Sequence, residues 1–134
     1  KKINYTWKQF DTDSKNIAFW AKNYRSKDNP FKSVYGIPRG GLILATKLSY
    51  LLNIPLVLTR DEITKDTLVV DDISDTGATL VKLKDNTLNY NMITATIHWQ
   101  RDSICEPTFH CREKKDWIIY PWETEKTSKY DGTI

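Results

Sequence analysis

The stretch TLVVDDISDTGATL, residues 67–80, limits what this chain can fold into more than any other part of it. Residues 68–70 are apolar and β-favouring, which is typical of a strand buried on both faces of a parallel sheet. Asp71 and Asp72 follow at the carboxyl end of this strand, where open α/β sheets bind their ligands. Carboxylates at that position accept hydrogen bonds from sugar hydroxyls or bind a cation. The pattern therefore predicts a sugar-phosphate site at this edge of the sheet.

A loop of small and hydroxyl-bearing residues follows the acidic pair and leads into a helical pattern. A glycine in this position lets consecutive backbone N–H groups curl around a phosphate at the positive end of a helix. The alternative is that these side chains only cap the helix that begins near residue 78, but a cap needs one such residue and leaves the rest unexplained. We assign the phosphate contacts to Ile73, Ser74, Asp75, Thr76, Gly77, Ala78 and Thr79.

Strand and helix patterns alternate along the chain, which favours an α/β fold with a mostly parallel central sheet flanked by helices. The predicted helices cover residues 13–25, 42–52 and 78–88, and the predicted strands cover residues 33–37, 56–59, 67–71, 92–99 and 117–120. Apolar side chains at Ile17, Phe19, Trp20 and Tyr24 should form the buried face of the first helix. We expect a single domain over residues 1–134.

The sequence Pro38-Arg39-Gly40-Gly41 directly follows the first of these predicted strands. Arg39 carries a planar guanidinium that matches phosphate oxygens, and Gly40 allows the backbone to approach a ligand closely. If the two strands are neighbours in a parallel sheet, this turn and the acidic loop open on the same edge. The alternative is an ordinary turn with a solvent-facing arginine.

Composition indicates a small cytoplasmic protein. The 134 residues include two cysteines, too few for the disulfide framework of a secreted domain, and no apolar run is long enough to cross a bilayer. A net charge of +3 from dispersed lysines suits an anionic small molecule and does not favour nucleic-acid binding. The residues His98, Cys105, His110 and Cys111 lack the regular spacing of structural zinc sites.

The acidic stretch resembles the phosphoribosyl-diphosphate (PRPP) signature of the type I phosphoribosyltransferases. Further stretches look like the xanthine-guanine phosphoribosyltransferases: KINYTWKQFDTDSKNIAFWAKNY, PRGGLILATKLSYLLNIP and DWIIYPWE. The resemblance implies the type I phosphoribosyltransferase fold and a purine-salvage transferase that moves the 5-phosphoribosyl group from PRPP to xanthine, guanine or hypoxanthine. It implies Mg²⁺ as cofactor, diphosphate and a nucleoside monophosphate as products, and a homodimer or homotetramer.

The same resemblance assigns roles to single residues. Arg39 and Gly40 would contact diphosphate, and Asp71 and Asp72 would hold the ribose hydroxyls, with Asp72 also associated with the metal. In the base pocket, Asp75 would face N7 of the purine and act with the acidic pair in catalysis. Trp117 would stack on the base, and the backbone of Ile118 would meet its 2-position edge.

The sequence departs from the family at two places. The position of the lysine that faces the purine 6-oxo group falls on Gln100, and the loop that covers the reaction centre is shortened to RDEITKD, residues 60–66. A lid excludes water and completes a site, so a short one admits a second interpretation. In that alternative the chain is a catalytically weak regulator that binds PRPP or a nucleotide.

Overall fold

A central sheet of five parallel strands organises the computed structural model, which describes residues 1–75, 77–85 and 92–129. The strands lie in the order β3-β2-β4-β5-β6. Their bounds are β2 Ser33–Gly36, β3 Leu56–Val57, β4 Thr67–Ser74, β5 Ile93–Trp99 and β6 Phe109–Glu113. The longest strand, β4, thus lies in the middle of the sheet, and the predicted fold class is confirmed.

Strand β4 is central because its side chains can be buried on both faces. Leu68, Val69 and Val70 have no solvent exposure, and they pack into two separate hydrophobic clusters on opposite sides of the sheet. Its register places Val70 beside Gly36 of β2 and Ala95 of β5. The apolar part of the strand is therefore held on both edges, and the acidic residues extend beyond it.

In the described part of the chain, three α-helices accompany the sheet: α1 Trp7–Tyr24, α2 Gly40–Leu52 and α3 Ala78–Asp85. Helix α1 begins at a capping box in which Thr6 Oγ1 accepts from Gln9 N at 3.1 Å and Gln9 Oε1 accepts from Thr6 N at 2.9 Å. The predicted start near residue 13 was wrong because this earlier cap satisfies the free N–H groups of the first turn. The end predicted for α3 near residue 88 lies outside the described residues.

The buried face of α1 also differs from the prediction. Phe19 is 71% exposed and Tyr24 is 50% exposed, whereas Ile17 is fully buried. The small residues Ala18 and Ala21 are buried together with Ile17. Because their side chains are small, α1 packs closely against the sheet and α2. Aromatic residues at helical spacing were therefore a poor guide to which face is buried.

A second, two-stranded parallel sheet contributes residues of its second strand to the lining of a cavity. It pairs β1 Lys2–Asn4 with β7 Trp117–Ile119, and Tyr5 N then donates to Ile119 O at 2.9 Å. We call this two-stranded sheet the hood. Strands β1 and β6 were not predicted, because both are short and neither shows an uninterrupted apolar run. No helix among the described residues is long and apolar enough to span a membrane.

The central packing of α2 gives a direct test of this fold. Leu44 has no solvent exposure, so Leu44→Ala should lower the free energy of unfolding by about 2 to 5 kcal/mol through lost contacts and an unfilled cavity. Tyr50 lies on the same helix and is 83% exposed, and Tyr50→Ala should change the free energy of unfolding by less than about 0.5 kcal/mol. Urea unfolding of both variants measures the difference, and equal losses would contradict the packing of α2 described here.

Candidate active site

A cavity of about 850 Å³ opens at the carboxyl edge of the central sheet, beneath the hood. This volume is in the range of small-molecule sites. Most residues that the sequence predicted for a site line this cavity: Arg39, Gly40, Asp71, Asp72, Ile73, Ser74, Asp75, Gly77, Thr79, Trp117 and Ile118. Ala78 begins α3 next to the lining residues, and Thr76 lies outside the described residues.

The acidic pair lies against the amino end of α2. A Cβ built on Gly40, the first residue of that helix, would lie 1.9 Å from Asp72 Oδ2, and one built on Gly41 would lie 3.1 Å from Asp71 Oδ1. Only glycine leaves room for the two carboxylates there. The sequence predicted that Gly40 allows a ligand to approach the backbone. In the structure, the group that approaches Gly40 closely is the carboxylate of Asp72.

Both carboxyl groups have perturbed acidities. Burial raises the pKa of Asp71 well above its usual range, and the negative charge of Asp72 raises it further. Burial also raises the pKa of Asp72, although hydrogen bonds from the backbone N–H groups of Ile73 and Asp72 act in the opposite direction. Two like charges in one buried place are unfavourable, so this edge is electrostatically suited to a cation or to hydrogen-bond donors.

The loop after β4 packs against Ile104 and Cys105. Gly77 has φ of +87°, a conformation that favours glycine, and a Cβ there would lie 2.5 Å from Cys105 N. Ser74 Oγ donates to Cys105 O at 3.0 Å. Gly77 is buried. Its conformation is thus set by both backbone geometry and packing, and α3 begins at the next residue.

The opposite wall of the cavity combines an aromatic face with an ion pair. Trp117 begins β7 and is 39% exposed, and its Nε1 donates to Ser128 Oγ at 3.1 Å. Lys114 follows β6, and its Nζ lies 2.9 Å from Asp75 Oδ1 and 5.0 Å from the centroid of the Trp117 ring. The side chain of Lys114 is only 14% exposed. An acceptor and a cationic donor therefore stand side by side next to a flat aromatic surface.

Gln100 does not join this group. Its backbone N donates to Ser74 O at 2.9 Å and so extends the pairing of β5 with β4, but its side chain donates to Asp102 Oδ1 at 2.8 Å. It lines a separate, shallow depression on the other side of Lys114. Gln100 directly follows β5, and Lys114 directly follows the neighbouring strand β6. Lys114 lines the cavity, but β6 was not predicted from the sequence, and this residue was therefore missed.

Other lining residues were also missed. Arg60 lines the cavity from a 3-10 turn, Arg60–Glu62, in the short segment between β3 and β4, and Glu123 lines it from the turn after β7. Burial raises the pKa of Glu123, and the nearby Asp72 adds to this effect. In the sequence, Arg60 directly follows the strand predicted over residues 56–59. Nothing else distinguishes it from an ordinary polar loop residue.

The histidines and cysteines have separate partners. His98 lies beneath the hood with its Nδ1 2.8 Å from Tyr120 Oη, and the ring of His110 stacks on Trp99 at 4.5 Å. Cys111 Sγ lies 3.6 Å from Asp13 O. The parts of the chain that the structure describes contain no group of three or more His, Cys, Asp or Glu side chains arranged to hold a metal ion.

Together the parallel sheet, the acidic pair at the end of β4 and the hood define a type I phosphoribosyltransferase fold. The chain is 25% identical to a xanthine-guanine phosphoribosyltransferase of Nitratidesulfovibrio vulgaris, over 90% of this chain and 83% of that protein. A purine phosphoribosyltransferase of Pyrococcus horikoshii superimposes with a TM-score of 0.76 and 27% identity, over 92% of this chain and 94% of the other. No protein-family model matches the chain.

A xanthine-guanine-hypoxanthine phosphoribosyltransferase of Helicobacter pylori has the same fold, with a TM-score of 0.74, 19% identity, and coverage of 95% of this chain and 97% of the other. In sequence and in fold the chain is thus similar to the purine phosphoribosyltransferases, which are pentosyltransferases. The resemblance seen in its motifs is confirmed.

The raised pKa of Asp71 predicts how stability depends on pH. Its pKa is higher in the folded protein than in the unfolded chain, so its contribution to stability is greatest below about pH 4 and is lost as the pH rises through the folded value. Asp71→Asn should therefore raise the free energy of unfolding at pH 7, and the gain should shrink toward pH 4. Urea unfolding across this range measures it, with exposed Asp61→Asn as control; a gain independent of pH would contradict the prediction.

Proposed function

We propose that this chain transfers the 5-phosphoribosyl group from PRPP to a 6-oxopurine base, releasing diphosphate and forming a nucleoside monophosphate. One observation carries the proposal: a single cavity brings the acidic pair, the Gly77 loop and the Trp117 face together. These three elements suit, in turn, the ribose, the 5′-phosphate and the base. The similarity to purine phosphoribosyltransferases supports the same assignment.

The diphosphate of PRPP would lie over the amino end of α2. Arg39 and Arg60 both line the cavity, and guanidinium groups match phosphate oxygens with paired hydrogen bonds. The backbone at Gly40 begins α2, whose amino end favours an anion. Two arginines from different loops therefore provide positive charge where the leaving group would carry its negative charge.

The acidic pair would hold the ribose hydroxyls, and Asp72 would also bind Mg²⁺. The fit rests on the donor set, because two carboxylates stand together at the edge of the cavity and Mg²⁺ prefers oxygen ligands. Mg²⁺ binds few carboxylates together with substrate phosphates. When bound, it would supply charge neutralisation for the diphosphate.

The 5′-phosphate would bind in the loop from Ile73 to Thr79. Gly77 holds this loop in its turn, and the amino end of α3 follows immediately. The phosphate is remote from the reacting C1′ carbon, so its binding energy serves to orient the ribose. The packing of Ile104 and Cys105 against the loop supports that role, since a rigid loop orients its ligand better than a mobile one.

The base would lie on Trp117, with the Ile118 backbone at its 2-position edge. Asp75 and Lys114, 2.9 Å apart, present an acceptor and a donor side by side. A 6-oxopurine presents the complementary pair, an N7–H donor and an adjacent oxo acceptor. A 6-amino group would instead place a donor against the ammonium of Lys114, which has no acceptor. We therefore assign base selectivity to Lys114 in place of Gln100.

In the reaction, a bond would form between the base nitrogen and C1′ as the bond between C1′ and the diphosphate oxygen breaks. Positive charge would develop at C1′, as in glycoside cleavage. Asp75 would accept the N7 proton as the base loses its positive charge. The half-buried acidic pair would hold the ribose hydroxyls in place and favour the cationic ribose.

Turnover with a panel of bases tests this function. Purified protein is incubated with PRPP and Mg²⁺ and with hypoxanthine, guanine, xanthine, adenine or uracil, and products are separated by chromatography. We expect monophosphates of the oxopurines and none when the metal is chelated. PRPP binding in calorimetry without any nucleotide product would instead favour the regulator that binds PRPP without efficient catalysis.

Replacing Lys114 tests the base pocket. Lys114→Met should lower kcat/KM for oxopurines by about tenfold to a hundredfold, because a hydrogen bond to a charged group contributes roughly 1.5 to 3 kcal/mol, and adenine should be affected less. Gln100→Met is the matched control and should leave the ranking of bases unchanged. Trp117→Ala should weaken all bases alike, by about 1 to 3 kcal/mol. If Gln100→Met rather than Lys114→Met alters the ranking, the assignment is reversed.

A further inference from the structure

We propose that Tyr120 is a positioning residue that ties the base-stacking strand to the acidic strand through its hydroxyl group. This inference rests on the proposed function, because it assigns the base to Trp117 and the ribose to Asp72. Tyr120 follows directly after β7, the strand that begins at Trp117, and its Oη lies 3.2 Å from Asp72 O. One hydroxyl thus bridges the two halves of the candidate site.

The bridge has a defined hydrogen-bond direction. A carbonyl oxygen only accepts, so the single proton of Tyr120 Oη is donated to Asp72 O. The nitrogen Nδ1 of His98, 2.8 Å from the same hydroxyl, must then be the donor to it. His98 lies in β5, in register with Ile73. The chain of donors therefore runs from the neighbouring strand through Tyr120 into the backbone of the acidic pair.

The surroundings keep this arrangement in one protonation state. Tyr120 is 3% exposed and His98 is 6% exposed. Burial lowers the pKa of His98 to about 4, with a further contribution from Arg112, so the imidazole is neutral near pH 7. The Tyr120 hydroxyl keeps its proton near pH 7, because a phenol ordinarily ionises only at about pH 10.

The acidic strand needs such a contact at this point. Strand β2 ends at Gly36, which is in register with Val70, so Asp72 lies two residues beyond the end of its neighbour. A carbonyl left without a partner in a protein interior is costly. The Tyr120 hydroxyl supplies a bond to that carbonyl from the hood, and the position of the hood is thereby coupled to the backbone that aims the Asp72 carboxylate.

The hood has a second tyrosine anchor that provides a matched control. Tyr5 follows β1 and is 4% exposed, and its hydroxyl donates to Asp13 Oδ2. Arg112 Nε also donates to Asp13 Oδ2, at 2.7 Å. This anchor joins the hood to α1 and β6. Both tyrosines fix the same two-stranded sheet. The Tyr120 hydroxyl contacts β4, whereas the Tyr5 hydroxyl contacts α1.

Comparison of Tyr120→Phe with Tyr5→Phe tests the inference. For Tyr120→Phe we expect kcat to fall at least tenfold while KM for PRPP and for the base each change less than threefold, because orientation is lost and the binding groups remain. Tyr5→Phe should keep kcat within twofold, even if its unfolding midpoint in urea falls by as much as that of Tyr120→Phe. A wild-type kcat in Tyr120→Phe, or an equal loss in both variants, overturns the proposal.

Hydrogen exchange separates this inference from the proposed function. In Tyr120→Phe, exchange in residues 71–74 and 117–119 should rise together, and in Tyr5→Phe the segment 71–74 should exchange as in the wild type. If the wild-type protein forms no nucleotide, the proposed function fails, and exchange alone then decides the coupling: unchanged exchange at 71–74 in Tyr120→Phe overturns it. If Tyr120→Phe does not fold, His98→Gln replaces it, because His98 donates to the Tyr120 hydroxyl. Faster exchange at residues 71–74 in His98→Gln then supports the coupling, and unchanged exchange overturns it.

Discussion

The contact between the acidic pair and the amino end of α2 is the constraint on which the rest of the site depends. Asp72 approaches Gly40 so closely that a Cβ on the glycine would lie 1.9 Å from the carboxylate. Burial and mutual repulsion disfavour the charges of Asp71 and Asp72. The folded protein therefore keeps two carboxyl groups in a place where a cation or hydroxyl donors would stabilise them, and this stored electrostatic cost is a common feature of ligand sites.

The position of the hood determines what faces that acidic pair. Strand β7 carries Trp117 to one side of the cavity, and Lys114 enters from the end of β6 to pair with Asp75 at 2.9 Å. Because β6 is parallel to β5 and in register with it, its carboxyl end reaches the same edge of the sheet as β4. Lys114, which follows the outermost strand β6, thus occupies the position in the cavity that the sequence had assigned to Gln100 at the end of β5.

Much of this arrangement was predictable from local patterns. The apolar run before Asp71 predicted a buried parallel strand, and alternation of strands and helices predicted the fold class. Less predictable were the short strands β1 and β6 and the start of α1, because three to five residues carry little periodicity and a cap can lie far from the apolar face. Phe19 shows the same limit, since its aromatic ring suggested burial and α1 leaves it 71% exposed.

The sequence by itself determined the acidic strand, the turns at Gly40 and Gly77 and the aromatic residue at the start of the last strand, because each depends on the chemistry of a few adjacent residues. Only the tertiary structure decided that Lys114 rather than Gln100 enters the cavity, and that Tyr120 contacts Asp72. The physical reason is that strand register and the direction of each side chain arise from pairing between segments distant in the chain. A displacement of one residue in that pairing would turn a different side chain toward the site.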